Sequence, residues 1–401
     1  TAGTSLKRLD IAEDQRTELL ANLQDVMAHP HEPMDVLPLR SQPALEEASP
    51  HYWSWLDHNS YDEYWERLDV VAQADRITAR VLGVTGWWDN FLGSHLQLYE
   101  ALRDRSPHGA DQRLVIGPWD HFTYVNVLPT TAGAKNFGPA GIAGAAPVSE
   151  PAALAWFDRW LRDMPPNVES ASGVRWFASG SYDWRFDESW PPASAPQSLY
   201  LTADGGLADA SPTDESSATY RYDPADPTPT VGGRTLMPSV ASAGVQDQAP
   251  NAERDDVLVF SGDTLTAPVE IAGEVRLELT FSTDAVDTDL SAVLVDIDPD
   301  GHQWLVADGL VRLRNRNGLG KNELLTPGEA ISATVDLWAV AWTFAPGHRI
   351  GLHVASASFP RFDRNLNTGQ EPGSGTLEDA VVATNVVHMG SGSRLVLPVV
   401  E

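Results

Sequence analysis

Thr85-Gly86-Trp87-Trp88-Asp89-Asn90-Phe91, read together with Gly117-Pro118-Trp119-Asp120-His121, decides how this chain is organised. Each stretch follows a short apolar run, 79–84 before the first and 113–116 before the second, with the continuous hydrophobicity of a buried strand. Between them Phe91, His95, Leu98 and Leu102 recur at helical spacing, and Leu92, Leu96 and Tyr99 widen the stripe. Strand, helix and strand in about thirty residues make a βαβ unit, so the two strands are expected to be parallel neighbours. That puts Asp89 and His121 at the carboxyl ends of adjacent strands, where open α/β sheets build their sites.

An acid and then a histidine, each just past a strand, form the second half of the Ser…Asp…His order of α/β-hydrolases. In acyl transfer the carboxylate holds the imidazole in the useful tautomer and stabilises the imidazolium once the proton has moved. Asp120 is the rival acid, although neighbours on one loop usually point apart. Asp89 has a second reading, as the cap of the following helix, and topology leaves both open.

The 401 residues are enough for two or more domains. Lys+Arg 27 against Asp+Glu 56 gives 27 − 56 = −29, which argues against nucleic acid or an anionic membrane as partner. There are no cysteines, which excludes disulfides, thiolate catalysis and cysteine-bound zinc, and fits a cytoplasmic location. Residues 1–10 mix small, basic and acidic types without the apolar stretch of a secretion signal.

Residues 1–68 read as helical and irregular. Leu19, Leu20, Leu23, Val26 and Met27 make an amphipathic stripe that His29-Pro30 and Pro33 end. The aromatic residues Tyr52, Trp53, Trp55, Tyr61, Tyr64 and Trp65 follow, as core or as the wall of an apolar pocket. Residues 69–165 hold the α/β unit and a final helix, with Ser149 as N-cap, Pro151 in its first turn, and Leu154, Phe157, Trp160 and Leu161 on one face. The glycine- and alanine-rich stretch 131–147 between them is expected to be a loop.

From 166 to 401 helical periodicity gives way to short strands between glycine, proline and acidic turns, expected near 174–178, 198–202, 256–261, 275–281, 291–297, 303–314, 330–337, 349–357 and 394–399. So many short strands point to a jelly-roll β-sandwich. The fold class is therefore α/β plus all-β. An α/β unit with the acid–histidine order of a hydrolase, preceded by the helical residues 1–68, comes before the sandwich.

No serine has glycine both two residues before and two after it, so the Gly-x-Ser-x-Gly elbow is absent from this sequence. Thr1 leads into small residues and then helix, not the buried strand an amino-terminal nucleophile needs. Asp296-Ile297-Asp298-Pro299-Asp300-Gly301 opens like a calcium loop, but Ala307 stands where the bidentate glutamate belongs, and Pro-Asp-Gly is a turn signal. His302, His348 and His353 have no metal-ligand spacing, and no metal is expected.

Gly86-Trp87-Trp88-Asp89, Leu114-Val115-Ile116-Gly117-Pro118-Trp119-Asp120-His121 and Trp156-Phe157-Asp158-Arg159-Trp160-Leu161 resemble the cocaine esterase/X-prolyl dipeptidyl-peptidase family of serine hydrolases. Tyr222-Asp223-Pro224-Ala225-Asp226-Pro227 with Gly232-Gly233 is similar to that family's linker. Asp255-Asp256-Val257-Leu258, Val286-Asp287-Thr288-Asp289, Pro346-Gly347-His348-Arg349-Ile350 and Phe359-Pro360-Arg361-Phe362-Asp363-Arg364-Asn365 are similar to its carboxyl-terminal sandwich.

The resemblance implies that residues 1–68 form a helical cap of a partial α/β-hydrolase domain, that Asp89 is the triad acid and His121 the base, and that Phe91, Trp88, Trp342 and Phe344 lie at the substrate's acyl pocket. It implies serine-dependent hydrolysis of small esters, or of amides as in the family's peptidases and acylases, without a cofactor. It further implies a nucleophile on a companion amino-terminal piece, and is compatible with a homodimer of the assembled unit. A non-catalytic subunit whose sandwich binds sugar or a partner is the other reading.

Overall fold

The computed structural model describes residues 12–29, 31–42, 45, 49–122, 131–141, 150–167, 170–236 and 240–400. Thr1, Pro30, Ser149 and the end of the glycine-rich stretch, 142–147, lie outside them. Helix α1 (Glu13–Ala28) and helix α2 (Pro50–Asp57) carry the amino-terminal segment, with a single helical turn, Glu32–Asp35, between them.

Strand β1 (Leu82–Trp88), helix α3 (Leu92–Arg105) and strand β2 (Arg113–Asp120) form the βαβ unit. The two strands are parallel and in register from Leu82 opposite Arg113 to Gly86 opposite Gly117. Helix α3 buries Leu92, Leu96, Tyr99 and Leu102, so its core stripe is turned slightly from the one expected, and Phe91 is left 45% exposed.

Helix α4 (Glu150–Leu161) then leads to strand β3 (Gly173–Ala178), parallel to β2, and strand β4 (Asp183–Asp187) returns antiparallel to β3. The sequence reading put 174–178 in the sandwich, but that strand extends the α/β sheet. Its near-continuous burial is what a strand covered on both faces requires. Helix α4 also differs from expectation. Leu154, Phe157 and Leu161 are exposed, and among its described side chains Trp156 is the one it buries. Trp160 lies between the guanidinium groups of Arg80 and Arg159, 4.2 and 4.1 Å from its ring.

The rest is a sandwich of two antiparallel sheets. Its strands are β5 (Ser194–Leu201), β6 (Leu207–Ala208), β7 (Ser216–Tyr222), β8 (Leu258–Ser261), β9 (Val269–Thr283) and β10 (Asp289–Ile297). They continue as β11 (Gln303–Arg312), β12 (Ile331–Phe344), β13 (Arg349–Ala355), β14 (Ala383–Met389) and β15 (Arg394–Val400). One sheet has the order β8-β13-β10-β11 and the other β6-β5-β15-β9-β14-β7, with β12 also paired to β9.

The acidic hairpin between β10 and β11 is a turn. Asp298 Oδ1 accepts from the amides of Asp300 and His302, its Oδ2 accepts from the Trp304 indole, and Gly301 takes φ 92. Several of the quoted sandwich motifs meet in one buried ion network. Arg314 donates to Asp287 at 2.7 Å, Arg312 to both oxygens of Asp289 at 3.0 Å, and the Asn365 amide bridges the two aspartates.

The α/β sheet and the sandwich share one core. A single cluster of buried side chains runs from Trp87, Leu96 and Trp176 to Leu277, Val335 and Trp342.

Candidate active site

The alternation of a strand sends the two indoles of β1 to opposite faces. Trp87 Nε1–H donates to the Phe177 carbonyl of β3 at 2.7 Å, within the α/β sheet. Trp88 Nε1–H donates to the Val306 carbonyl of β11 at 3.2 Å, in the sandwich. Asp89 follows immediately, fully buried, and its amide closes a turn onto the Gly86 carbonyl at 3.0 Å.

Oδ1 of Asp89 does two jobs. It accepts the Phe91 amide at 3.0 Å at the start of α3, and it lies 3.1 Å from His121 Nδ1. The capping role and the histidine contact, alternatives in sequence, are both present. With Nδ1–H donating to Asp89, the imidazole lone pair is on Nε2, the tautomer a general base needs.

His121 stands just past β2 with its side chain 27% exposed, so the pair joins a buried carboxylate to an accessible ring. Phe91 and Phe122 meet that ring edge-on, with centroids 5.2 and 5.4 Å away. Asp120 turns back instead, its Oδ1 accepting the Phe122 amide at 2.9 Å. Nearby on α3, burial pushes the His95 imidazole below its ordinary value against the weaker pull of Asp89, so His95 is neutral at pH 7.

Phe91 borders an open cleft of about 750 Å3, with His58, Tyr61, Trp65, Leu68 and Leu319 on its other sides. Part of the amino-terminal aromatic segment thus forms a wall of the cleft. The Tyr61 amide donates to the Leu319 carbonyl at 2.9 Å and ties that wall to the sandwich.

Three residues expected at the acyl pocket are core residues instead. Trp88 and Phe344 have no exposed surface and Trp342 has 4%. Trp88 stacks on Phe137, with centroids 5.8 Å apart, and meets Trp342 edge-on, while the Trp342 indole N–H donates to Asp296. Trp342 and Phe344 stand on β12 and belong to the core cluster.

Residues 6–123 match the description "X-Pro dipeptidyl-peptidase (S15 family)", and residues 166–396 match "X-Pro dipeptidyl-peptidase C-terminal non-catalytic domain". The chain belongs to the X-Pro dipeptidyl-peptidase/cocaine esterase family of serine hydrolases. Within that family it is similar to cocaine esterase from Rhodococcus sp. (strain MB1 Bresler), 37% identical over 96% of this chain and 67% of the esterase.

Two solved structures share the fold. An α-amino acid ester hydrolase has a TM-score of 0.80 at 27% identity, over 89% of this chain and 62% of its own. An aminopeptidase from the marine sediment archaeon Thaumarchaeota archaeon has a TM-score of 0.79 at 26% identity, over 88% and 61%. The chain thus spans about two thirds of the esterase and somewhat less of the two solved structures.

Sequence reasoning singled out Asp89 and His121, which the structure brings into contact, and missed their neighbours. Phe122 meets the imidazole edge-on, His95 feels the charge of Asp89, and Arg234 donates to the carbonyl of Trp87, two residues before Asp89. Arg234 directly follows the quoted Gly232-Gly233, and its lone positive charge in an otherwise uncharged stretch was the available signal.

Proposed function

We propose that this chain supplies the base and acid of a serine-dependent hydrolase of small carboxylic esters, with the serine on a companion segment outside residues 1–401. The observation that carries the reading is the contact between buried Asp89 and half-exposed His121, 3.1 Å apart at the ends of two parallel strands. The span of the chain relative to its family members and the absence of a Gly-x-Ser-x-Gly elbow support the location of the nucleophile.

In this mechanism His121 Nε2 takes the serine hydroxyl proton as the oxygen attacks the ester carbonyl carbon. It returns that proton to the leaving alcohol as the acyl–oxygen bond breaks. Water then repeats the sequence on the acyl-enzyme, and the acid leaves. Asp89 stabilises the imidazolium in each half, and the proton count closes within the triad. Phe91, exposed beside His121 at the mouth of the cleft, contacts the acyl group.

Amide substrates are the second reading, favoured by the likeness to an aminopeptidase, whereas the likeness to an α-amino acid ester hydrolase favours esters. Competition between simple esters and aminoacyl substrates decides between the two. The nucleophile's location is tested by labelling the active protein with a fluorophosphonate and mapping the modified peptide. The tag is expected on a serine outside these 401 residues. A tag on a serine of this chain, or no tag, overturns the proposal.

A further inference from the structure

Gly232-Gly233-Arg234-Thr235 enters the interior between the α/β sheet and the sandwich. Gly232 and Gly233 both take φ 75, in the left-handed region, and the bridge between Gly233 and Gly244 closes with amide–carbonyl distances of 2.7 and 2.9 Å. A Cβ on Gly233 would fall 2.7 Å from Asp308 Oδ2, so only glycine brings the chain this close. The next side chain, Arg234, is completely buried.

Its guanidinium donates to three separate pieces of the fold. Nε–H donates to the Trp87 carbonyl of β1 at 3.0 Å. Nη1 donates to the Asp308 carbonyl and carboxylate of β11 at 3.0 and 3.3 Å, and to the Leu337 carbonyl of β12 at 3.0 Å. Nη2 donates to the Ala339 carbonyl at 3.1 Å. Asp308 balances the charge and is shared with Arg361.

Both strands that Arg234 grips are irregular where it grips them. On β1 the ladder to β2 shifts between Gly86 and Trp88, at the residue whose carbonyl Arg234 takes. On β12 the ladder to β9 shifts around Trp338, which takes φ 62, and the carbonyls on either side of it turn to the guanidinium. A bulge re-aims backbone and side chain together. Here it also lays the Trp338 ring against Gly93 in the first turn of α3, where a Cβ would be 3.2 Å from the ring, and 5.2 Å from the Arg234 guanidinium carbon.

We propose that Arg234 is the positioning residue of the Asp89–His121 pair, clamping the Trp87 carbonyl so that β1 ends where its next carboxylate meets the imidazole. The clamp ties the geometry of the pair to the docking of the sandwich, because every other bond the guanidinium makes is to sandwich strands. The inference rests on the catalytic reading of the pair, but its test needs no turnover.

The test is histidine NMR on the 401-residue chain, following the low-field Nδ1 proton of His121, assigned by its loss in His121→Ala. In Arg234→Met the signal is expected to disappear or move upfield while the dispersed sandwich amides stay in place. Arg234→Lys, which keeps the charge but not the fork of five donors, is expected to restore it only partly. A wild-type His121 signal in folded Arg234→Met overturns the proposal. If Arg234→Met does not fold, a wild-type signal in folded Arg234→Lys overturns it instead. Neither result touches the hydrolase reading, which stands or falls on the serine label.

Discussion

At Asp89 one oxygen serves the helix and the histidine together, and replacing the residue can separate those duties. In Asp89→Asn the side-chain carbonyl can still accept the Phe91 amide, so the cap survives, whereas the imidazolium loses its counter-charge. The expected outcome is a fold with near-unchanged thermal unfolding and a kcat lower by about 10^4-fold. An unfolded variant would show that the fold itself needs the buried carboxylate.

His353 makes a prediction about pH. It is 3% exposed in the sandwich, Nε2 lies 2.6 Å from Gln303 Oε1, and burial pushes its pKa from 6.5 down to about 4. The unfolded chain takes up this proton near pH 6.5 and the folded chain only near pH 4. Stability from this group is therefore intact above that window and is lost as pH falls through it, by about 3 kcal/mol in all. Denaturant titrations of His353→Gln should show a flatter pH dependence between those limits than wild type. Parallel curves would refute it. At this scale Asp89 and His121 were legible because the strand runs before them are unmistakable. Trp88, Trp342 and Phe344 were not, because a strand buried on both faces gives no sign of which side faces a pocket.

Among the elements, β1, α3 and β2 were readable from periodicity, and so were most sandwich strands. Strands β4, β6, β7 and β14 escaped, β6 being only two residues long. The sequences of β7 and β14, Ser-Ser-Ala-Thr-Tyr-Arg-Tyr and Ala-Thr-Asn-Val-Val-His-Met, mix polar residues into both faces, with apolar bulk on the inward face only at Tyr220 and Tyr222 of the first and at Val387 and Met389 of the second. Strand β3 was seen but assigned to the wrong sheet, since partner choice is a long-range matter that local pattern does not encode. Gly86 shows how tightly β1 and β2 approach, with a Cβ there falling 2.2 Å from the Trp119 carbonyl oxygen. Gly86→Ala is thus expected to cost on the order of 3 kcal/mol by forcing the strands apart. Chemical denaturation measures it, and a change under about 0.5 kcal/mol would mean the strands are not held so close.

For the whole molecule, one core cluster reaches through the α/β sheet and the sandwich, and buried Arg234 joins both. The chain is expected to unfold in a single transition, with tryptophan fluorescence and far-ultraviolet circular dichroism coinciding. Two separated transitions would make the sandwich an independent unit and weaken the link between its docking and the site. The family and the two-part architecture could be read from ordered motifs alone, whereas the joint between the parts could not. It is made by backbone carbonyls at two bulges, which leave no mark in residue type.

The central claim, that His121 is the working base, is tested most directly in the assembled protein by the rate at which a fluorophosphonate modifies its serine. In His121→Ala that rate is expected to fall by at least about 10^3-fold with the fold intact. Modification at the wild-type rate would contradict the account.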